Sequence, residues 1–358
     1  MTELAERYRE NHARLLAARE RLRQAVGAGT ATDAERKRLK TLDELLTPVR
    51  GTAVDANGKV VEVERPRQFL SVDPEGQGRA VEVIGDLEQA RNVAVLVPGM
   101  GNSLDTFRGQ SDRADLIRQE GGPGTATIAW LDYDSPQGFV EAASKQAALD
   151  GGPRLARFLT ELDDLTDATT TLVGHSYGTD VVGQALLNGG RADRVVLTGS
   201  PGITKYVDEA ADFVQPPTRL YVERAPGDYV SYSEWHGPDP ATFPDAIRMA
   251  TNRDEAVSVH WHNEYYRVNS EALRNIGRVV RGDLAAITTT GTSRSQETKL
   301  AWGTVLNKAA GVAHKVYDGL APPATRRPTH PSPGRAAPEP AAARPGGTRP
   351  RQPEGPHR

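Results

Sequence analysis

One serine of this chain stands between two glycines, in Gly174-His175-Ser176-Tyr177-Gly178, where an apolar run over 170–174 gives way at once to a helix-like pattern over 177–189. So abrupt a strand-to-helix turn crowds its neighbours, and the positions two before and two after the serine must be small. The strain lifts the hydroxyl into the cleft at the strand ends, and the helix N-terminus beneath it favours developing negative charge. A serine hydroxyl is a weak nucleophile at neutral pH and needs a base, usually a histidine oriented by a carboxylate. Both follow downstream. Asp228 lies in "RAPGDYV" after a strand candidate at 219–223, and His262 follows one at 256–261. Asp228 could equally cap its own turn. His260 would share a face with His262 while the strand continues, but His262 is nearer the loop "HNEYY", where a base has room to reach the serine. His-Trp-His-x-Glu also has the look of a metal pair. A catalytic zinc requires a third protein ligand, and no neighbouring His or Asp cluster has suitable spacing, so no cofactor is expected.

Attack on an acyl carbon creates an oxyanion, which calls for two backbone N–H donors. The spacing assigns one to Tyr177, directly after the serine, and the other to Met100 in "VPGMGNS", where Gly99 and Gly101 permit close approach. Asp132, Tyr133 and Asp134, on the loop after 125–131, are expected to edge the substrate pocket, with Trp235, His236 and Tyr206 as further edge residues. His236, in "EWHGPDP", is open to a substrate-side or a structural role.

The elements that must hold these residues follow from patterning. Runs at 59–64, 68–73 and 79–85 alternate and are separated by turn residues, which predicts antiparallel strands. "NVAVLVPG" (92–99) is continuously apolar, as a strand buried on both faces should be. Runs at 125–131, 170–174, 194–199, 219–223 and 256–261 alternate with helical stretches at 103–119, 139–163, 177–189, 241–251 and 270–281. That alternation predicts an α/β fold with a mostly parallel sheet covered on both sides. Residues 1–50 predict a helical hairpin. Met1, Leu4, Tyr8, Leu15, Ala18, Leu22 and Ala25 form a stripe on the first helix, and Thr32 and Glu35 have capping-box spacing for the second. The expected role is an amphipathic cover or a short helical contact. The ordered domain is placed at 55–284, a linker with a helix at 285–320, and a disordered Pro/Ala/Arg-rich tail at 321–358.

The totals narrow the classes. The 358 residues carry a net charge of −3, against general nucleic-acid binding, and 0 cysteines, against disulfides and cysteine chemistry. The tail from Ala321 holds 7 Arg and 2 Glu, a net +5, which leaves −8 on the rest. No apolar run reaches membrane-span or signal-peptide form, so a cytoplasmic chain without a cleaved export signal is expected. Protein partners, if any, belong to the hairpin or the tail.

The stretches "VAVLVPGMGNSLD", "IAWLDYDSP", "VGHSYGTDV", "LTGSPG", "ERAPGDYV", "HGPDP" and "HNEYYRVNSEALRNI" occur in order between about residues 66 and 283. Together they resemble the α/β-hydrolase superfamily, and more narrowly an actinobacterial group of α/β hydrolases long catalogued as a domain of unknown function. The resemblance implies the fold and serine-hydrolase chemistry, with Ser176, Asp228 and His262 at the nucleophile, acid and base positions. The Ser-Glu-x-Leu-Arg-Asn stretch after the histidine favours His262 over His260. The hairpin and the tail lie outside the resemblance. Helical hairpins before some such domains resemble small specialised-secretion substrates, but this one has no Trp-x-Gly at its turn. The expected activity is hydrolysis of a small-molecule acyl ester or related bond. The competing class is a non-catalytic binding or scaffold protein on the same fold, for which an intact Ser, Asp and His has no use.

Overall fold

The computed structural model describes residues 2–54, 59–213, 215–216, 219–252, 257 and 259–290. The tail at 321–358 and most of the expected linker lie outside the described residues.

Two helices open the chain, α1 (Glu3–Gly27) and α2 (Asp33–Leu45). Thr32 and Glu35 form the expected capping box on α2, with Thr32 N–H donating to Glu35 Oε2 at 2.7 Å and Glu35 N–H to Thr32 Oγ1 at 3.2 Å. A two-stranded antiparallel ribbon follows, β1 (Val49–Val54) and β2 (Val60–Arg65). The main domain then runs β3 (Gln68–Asp73), β4 (Arg79–Ile84), β5 (Asn92–Val97), α3 (Phe107–Gly121), β6 (Thr125–Leu131), α4 (Phe139–Ala143), α5 (Gln146–Leu165), β7 (Thr169–His175), α6 (Gly178–Leu187), β8 (Arg194–Thr198), β9 (Arg219–Glu223), β10 (Ala246–Met249) and α7 (Glu271–Arg281).

Eight of these strands make one sheet in the order β10-β9-β8-β7-β5-β6-β4-β3. β3–β4 and β4–β6 pair antiparallel, and every other neighbour pairs parallel. The central strands are apolar on both faces because helices cover both. β6 is buried at all seven positions, and β5 at every position after Asn92. At the β3 edge, α1 lies against the strand and satisfies its outward carbonyls. Arg7 Nε donates to Leu70 O at 2.7 Å, and Asn11 Nδ2 donates to Phe69 O at 3.0 Å. An edge strand left open would invite pairing with another chain. No helix among the described residues is long and apolar enough to cross a membrane.

Three expectations are corrected. The helix expected at 241–251 is instead a 3-10 turn (Pro240–Thr242) followed by β10. Pro244 explains this, since an interior proline removes a helix hydrogen bond and clashes with the preceding turn. The strand expected at 256–261 falls partly outside the described residues, and 259–261 form irregular chain, so among the described residues β10 is the last strand of the sheet in chain order. The single helix expected at 139–163 is broken at Ser144–Lys145. The phenol of Tyr177 fills the break. Its hydroxyl donates to Ser144 O at 2.9 Å and accepts from Ala148 N–H at 3.1 Å, replacing the bond those two groups would make in a continuous helix.

Candidate active site

Ser176 lies between β7 and α6 with φ of 55°, in the left-handed region where a side chain is strained. The turn survives because its surroundings leave it no alternative. Its N–H still donates to Thr198 O of β8 at 3.0 Å, and its carbonyl accepts from the N–H of Thr179 at 2.9 Å. A Cβ at Gly178 would lie 2.5 Å from Val97 O and 2.6 Å from Pro98 O, so the helix can start here only with glycine. A Cβ at Gly99 would lie 2.7 Å from the Cβ of Ser176, and glycine there brings the loop after β5 against the serine.

The structure brings Ser176, His262 and Asp228 together. His262 Nε2 is 2.6 Å from Ser176 Oγ, and His262 Nδ1 is 2.9 and 3.0 Å from the two oxygens of Asp228. An ionised carboxylate only accepts, so it selects the tautomer with Nδ1–H and leaves the Nε2 lone pair toward the serine hydroxyl. Asp228 is buried and also accepts from Tyr265 Oη–H at 2.6 Å, Val230 N–H at 3.1 Å and Ser231 N–H at 3.2 Å. Burial pushes its carboxyl up, but the His262 hydrogen bond and charge, with the Tyr265 and Ser231 bonds, outweigh that and hold it below the usual carboxylate range. His260 is exposed and does not join this group; its N–H and that of Trp261 donate to Glu264 Oε2 at 2.8 and 3.1 Å. Glu264 thereby caps the turn that carries His262.

Sequence reasoning missed two neighbours of His262. His175, inside the serine motif, is buried, and its Nε2 lies 2.8 Å from the carbonyl of His262. Burial, then the nearby His262 and Arg113, bring its imidazole down to about 3. It is therefore neutral, and the Nε2–H tautomer donates to that carbonyl. Tyr265 joins the acid loop to the histidine loop, accepting from Ala225 N–H at 2.9 Å while donating to Asp228. The signal for it in the sequence is the pair of tyrosines in "HNEYY", three residues after the histidine.

The loop expected to hold the oxyanion, 98–103, is tied by side chains. Asn102 Nδ2 donates to Gly99 O at 2.9 Å and Met100 O at 3.3 Å, and Ser135 Oγ donates to Gly99 O at 3.0 Å. Among the described residues the N–H groups of Met100 and Tyr177 donate to no protein acceptor.

The expected pocket-edge residues have several placements. Tyr133 is buried, stacked on Trp130 at 6.0 Å, and donates to Pro98 O at 2.6 Å, so it props the loop after β5. His236 is also buried, edge-on to the Tyr177 ring at 5.0 Å, with Nδ1 3.4 Å from Asp180 Oδ2. Asp132 accepts from Arg154 at 2.7 Å and Asp134 from Arg79 at 3.2 Å. Trp235 and Tyr206 are exposed.

Residues 73–236 match the family model described as alpha/beta hydrolase. An uncharacterized protein of Mycobacterium tuberculosis is 30% identical over 270 residues, covering 63% of this chain and 41% of that protein. An uncharacterized protein of Mycobacterium bovis is 33% identical over 154 residues, or 39% of this chain and 58% of the relative. The chain thus spans about two fifths of the length of the first of these relatives and under two thirds of the second. Among solved structures, a carboxylesterase from Mesorhizobium loti aligns at 16% identity and a TM-score of 0.40, covering 60% of this chain and 98% of its own. An esterase from Pyrobaculum calidifontis aligns at 14% identity and a TM-score of 0.34, covering 75% and 98%. The serine corner lies inside the segment that matches the alpha/beta hydrolase model, and the mostly parallel eight-stranded sheet surrounds it, so the chain carries an alpha/beta-hydrolase fold.

Proposed function

We propose that this hydrolase is a serine esterase that cleaves a carboxylic ester, or a related acyl bond, through an acyl-enzyme. The observation that carries the reading is the continuous hydrogen-bond chain Ser176–His262–Asp228, with the nucleophile to base contact at 2.6 Å. His262 Nε2 takes the Ser176 proton as Oγ attacks the acyl carbon, and the carbonyl π electrons move onto oxygen. The N–H groups of Met100 and Tyr177 receive that oxyanion, each such donor being worth about 3 kcal/mol in the transition state. The intermediate collapses, His262 returns the proton to the leaving alcohol, and water attacks the acyl-enzyme with His262 again as base. Asp228 stays ionised and stabilises the imidazolium. Between β8 and β9 the described residues contain only one 3-10 turn (Ala210–Asp212), so this segment contributes a small lid at most and the reading is of an open cleft.

The test is hydrolysis of p-nitrophenyl esters of graded chain length by wild type and Ser176→Ala. Wild type should turn over at least the short esters, and the variant should lose activity by about a millionfold, to the level of the buffer. Turnover that survives in Ser176→Ala would overturn the mechanism.

A further inference from the structure

The loop assigned to the oxyanion is fastened at its far end by a residue from outside the matched segment. Arg38, on α2 of the N-terminal hairpin, donates from Nε to Asp105 Oδ1 at 2.7 Å and from Nη2 to Asp105 Oδ2 at 3.3 Å. The same guanidinium donates to Gly76 O and Gln77 O, at 3.1 Å each, and to Pro74 O, all in the turn between β3 and β4. Thr41, three residues along α2, donates to Asp105 Oδ1 at 2.9 Å. The Arg38 and Asp105 side chains are only 12% and 16% exposed. Burial opposes the charge on Asp105, yet the hydrogen bond and charge of Arg38 hold its carboxyl below the ordinary range. A planar guanidinium with five donors suits such a junction of carboxylate and carbonyls, and a lysine does not.

Two contacts lead from this junction into the loop. Gln77 O accepts the N–H of Leu104 at 3.1 Å, and Gln77 Oε1 accepts from Gln137 Nε2 at 3.1 Å. Gln137 Nε2 also donates to Asn102 O at 3.0 Å, and Asn102 holds the carbonyls of Gly99 and Met100. The hairpin is thus joined to the backbone around Met100 through side chains fixed at both ends.

We propose that Arg38 is a positioning residue that fixes the loop 98–103, so that the Met100 N–H meets the oxyanion. The proposal rests on the serine-hydrolase reading above. An oxyanion donor acts only when it is aimed in advance, and a displacement of about 1 Å can cost on the order of 100-fold in rate. The N-terminal hairpin is then part of the working enzyme and more than a cover for a sheet edge.

The experiment compares full-length wild type, Arg38→Met, Arg38→Lys and Asp105→Asn. The readouts are p-nitrophenyl acetate kinetics, affinity for a trifluoromethyl ketone that mimics the tetrahedral intermediate, and the rate of fluorophosphonate labelling. Arg23→Met, which removes an exposed hairpin ion pair to Asp43, is the control and should keep wild-type kcat. Arg38→Met should keep KM within about twofold while kcat falls about tenfold or more, with analogue affinity falling by the same factor. Arg38→Lys should recover only part of this. Asp105→Asn should move in the same direction, and it carries the comparison if Arg38→Met does not fold. A folded Arg38→Met with a lowered Tm but wild-type kcat and analogue affinity would overturn the proposal and leave Arg38 a structural tie. Absence of labelling at Ser176 in folded wild type would overturn the serine-hydrolase reading itself, a result separable from unchanged kinetics in the variants.

Discussion

β7 delivers Ser176 from the middle of the sheet, paired with β5 on one side and β8 on the other, and α6 leaves directly from it. Asp228 and His262 arrive differently. Among the described residues, β8, β9 and β10 are joined by 3-10 turns and irregular chain with no α-helix before α7. The loop after β9 is held by the buried Arg224–Asp239 pair, with the Arg224 guanidinium 4.4 Å above the Tyr232 ring. The loop of His262 is held by His175 at its carbonyl, by Glu264 capping the preceding N–H groups, and by Tyr265 bonded to Asp228. Ser176, the proposed nucleophile, is therefore set by backbone ladders and steric necessity, and Asp228 and His262, the proposed acid and base, by side-chain hydrogen bonds. A change on the serine side should disturb folding first. A change on the other side should disturb rate and pH dependence first.

The largest effect expected from this contrast is at Gly178. Gly178→Ala forces a Cβ against two carbonyl oxygens of the β5 end, and should cost about 3 kcal/mol or more of stability. Thermal unfolding would show a fall in Tm of many degrees; a folded variant with unchanged Tm would break the comparison.

Tyr265→Phe tests the opposite side. It removes one of the hydrogen bonds that lower the Asp228 carboxyl, so that group should titrate at higher pH. The ionised form is the one that orients His262, so the acid limb of the kcat profile should move to higher pH. The stability cost should be about 1–2 kcal/mol, from the loss of a partner for the buried Ala225 N–H and for Asp228. A drop in Tm with an unmoved acid limb would argue against the assignment.

His175 sharpens the comparison through stability. Its pKa is lowered to about 3 in the folded protein from an ordinary 6.5, so below pH 6.5 the unfolded chain binds a proton that the native state does not. Stability must fall as pH drops from about 6.5 toward 3, by at most about 1.4 kcal/mol per pH unit from this group. His175→Gln keeps a donor for the His262 carbonyl and should flatten that slope in denaturant titrations. An equally steep slope in the variant would refute the assignment.

Tyr177→Phe should have the smallest effect. Without the hydroxyl, Ala148 N–H and Ser144 O can pair directly, so the loss should be about 1 kcal/mol. Hydrogen exchange at Ala148 reports whether the break has healed.

The same contrast explains what was legible in the sequence. Strands β2 to β9 and the glycine-flanked serine were readable because period or burial fixes them locally, and a strained turn restricts its flanking residues whatever lies further away. β10 was not, because four residues at a sheet edge carry little period, and Pro244 had to be given more weight than the apolar spacing around it. β1 went unread because a two-stranded ribbon depends on its partner. Asp228 and His262 could be placed by order and loop context. Tyr265 and His175 could not, since their work is a hydrogen bond to a residue far away in sequence. Loop position likewise says nothing of whether a ring turns inward, as those of Tyr133 and His236 do.

The central claim is an activated serine at position 176, and fluorophosphonate labelling of the full chain tests it most directly. Intact mass and peptide mapping should show one adduct on Ser176, absent from Ser176→Ala and strongly slowed in His262→Ala. A folded wild-type protein that takes no label, or labels equally at other serines, would contradict the account.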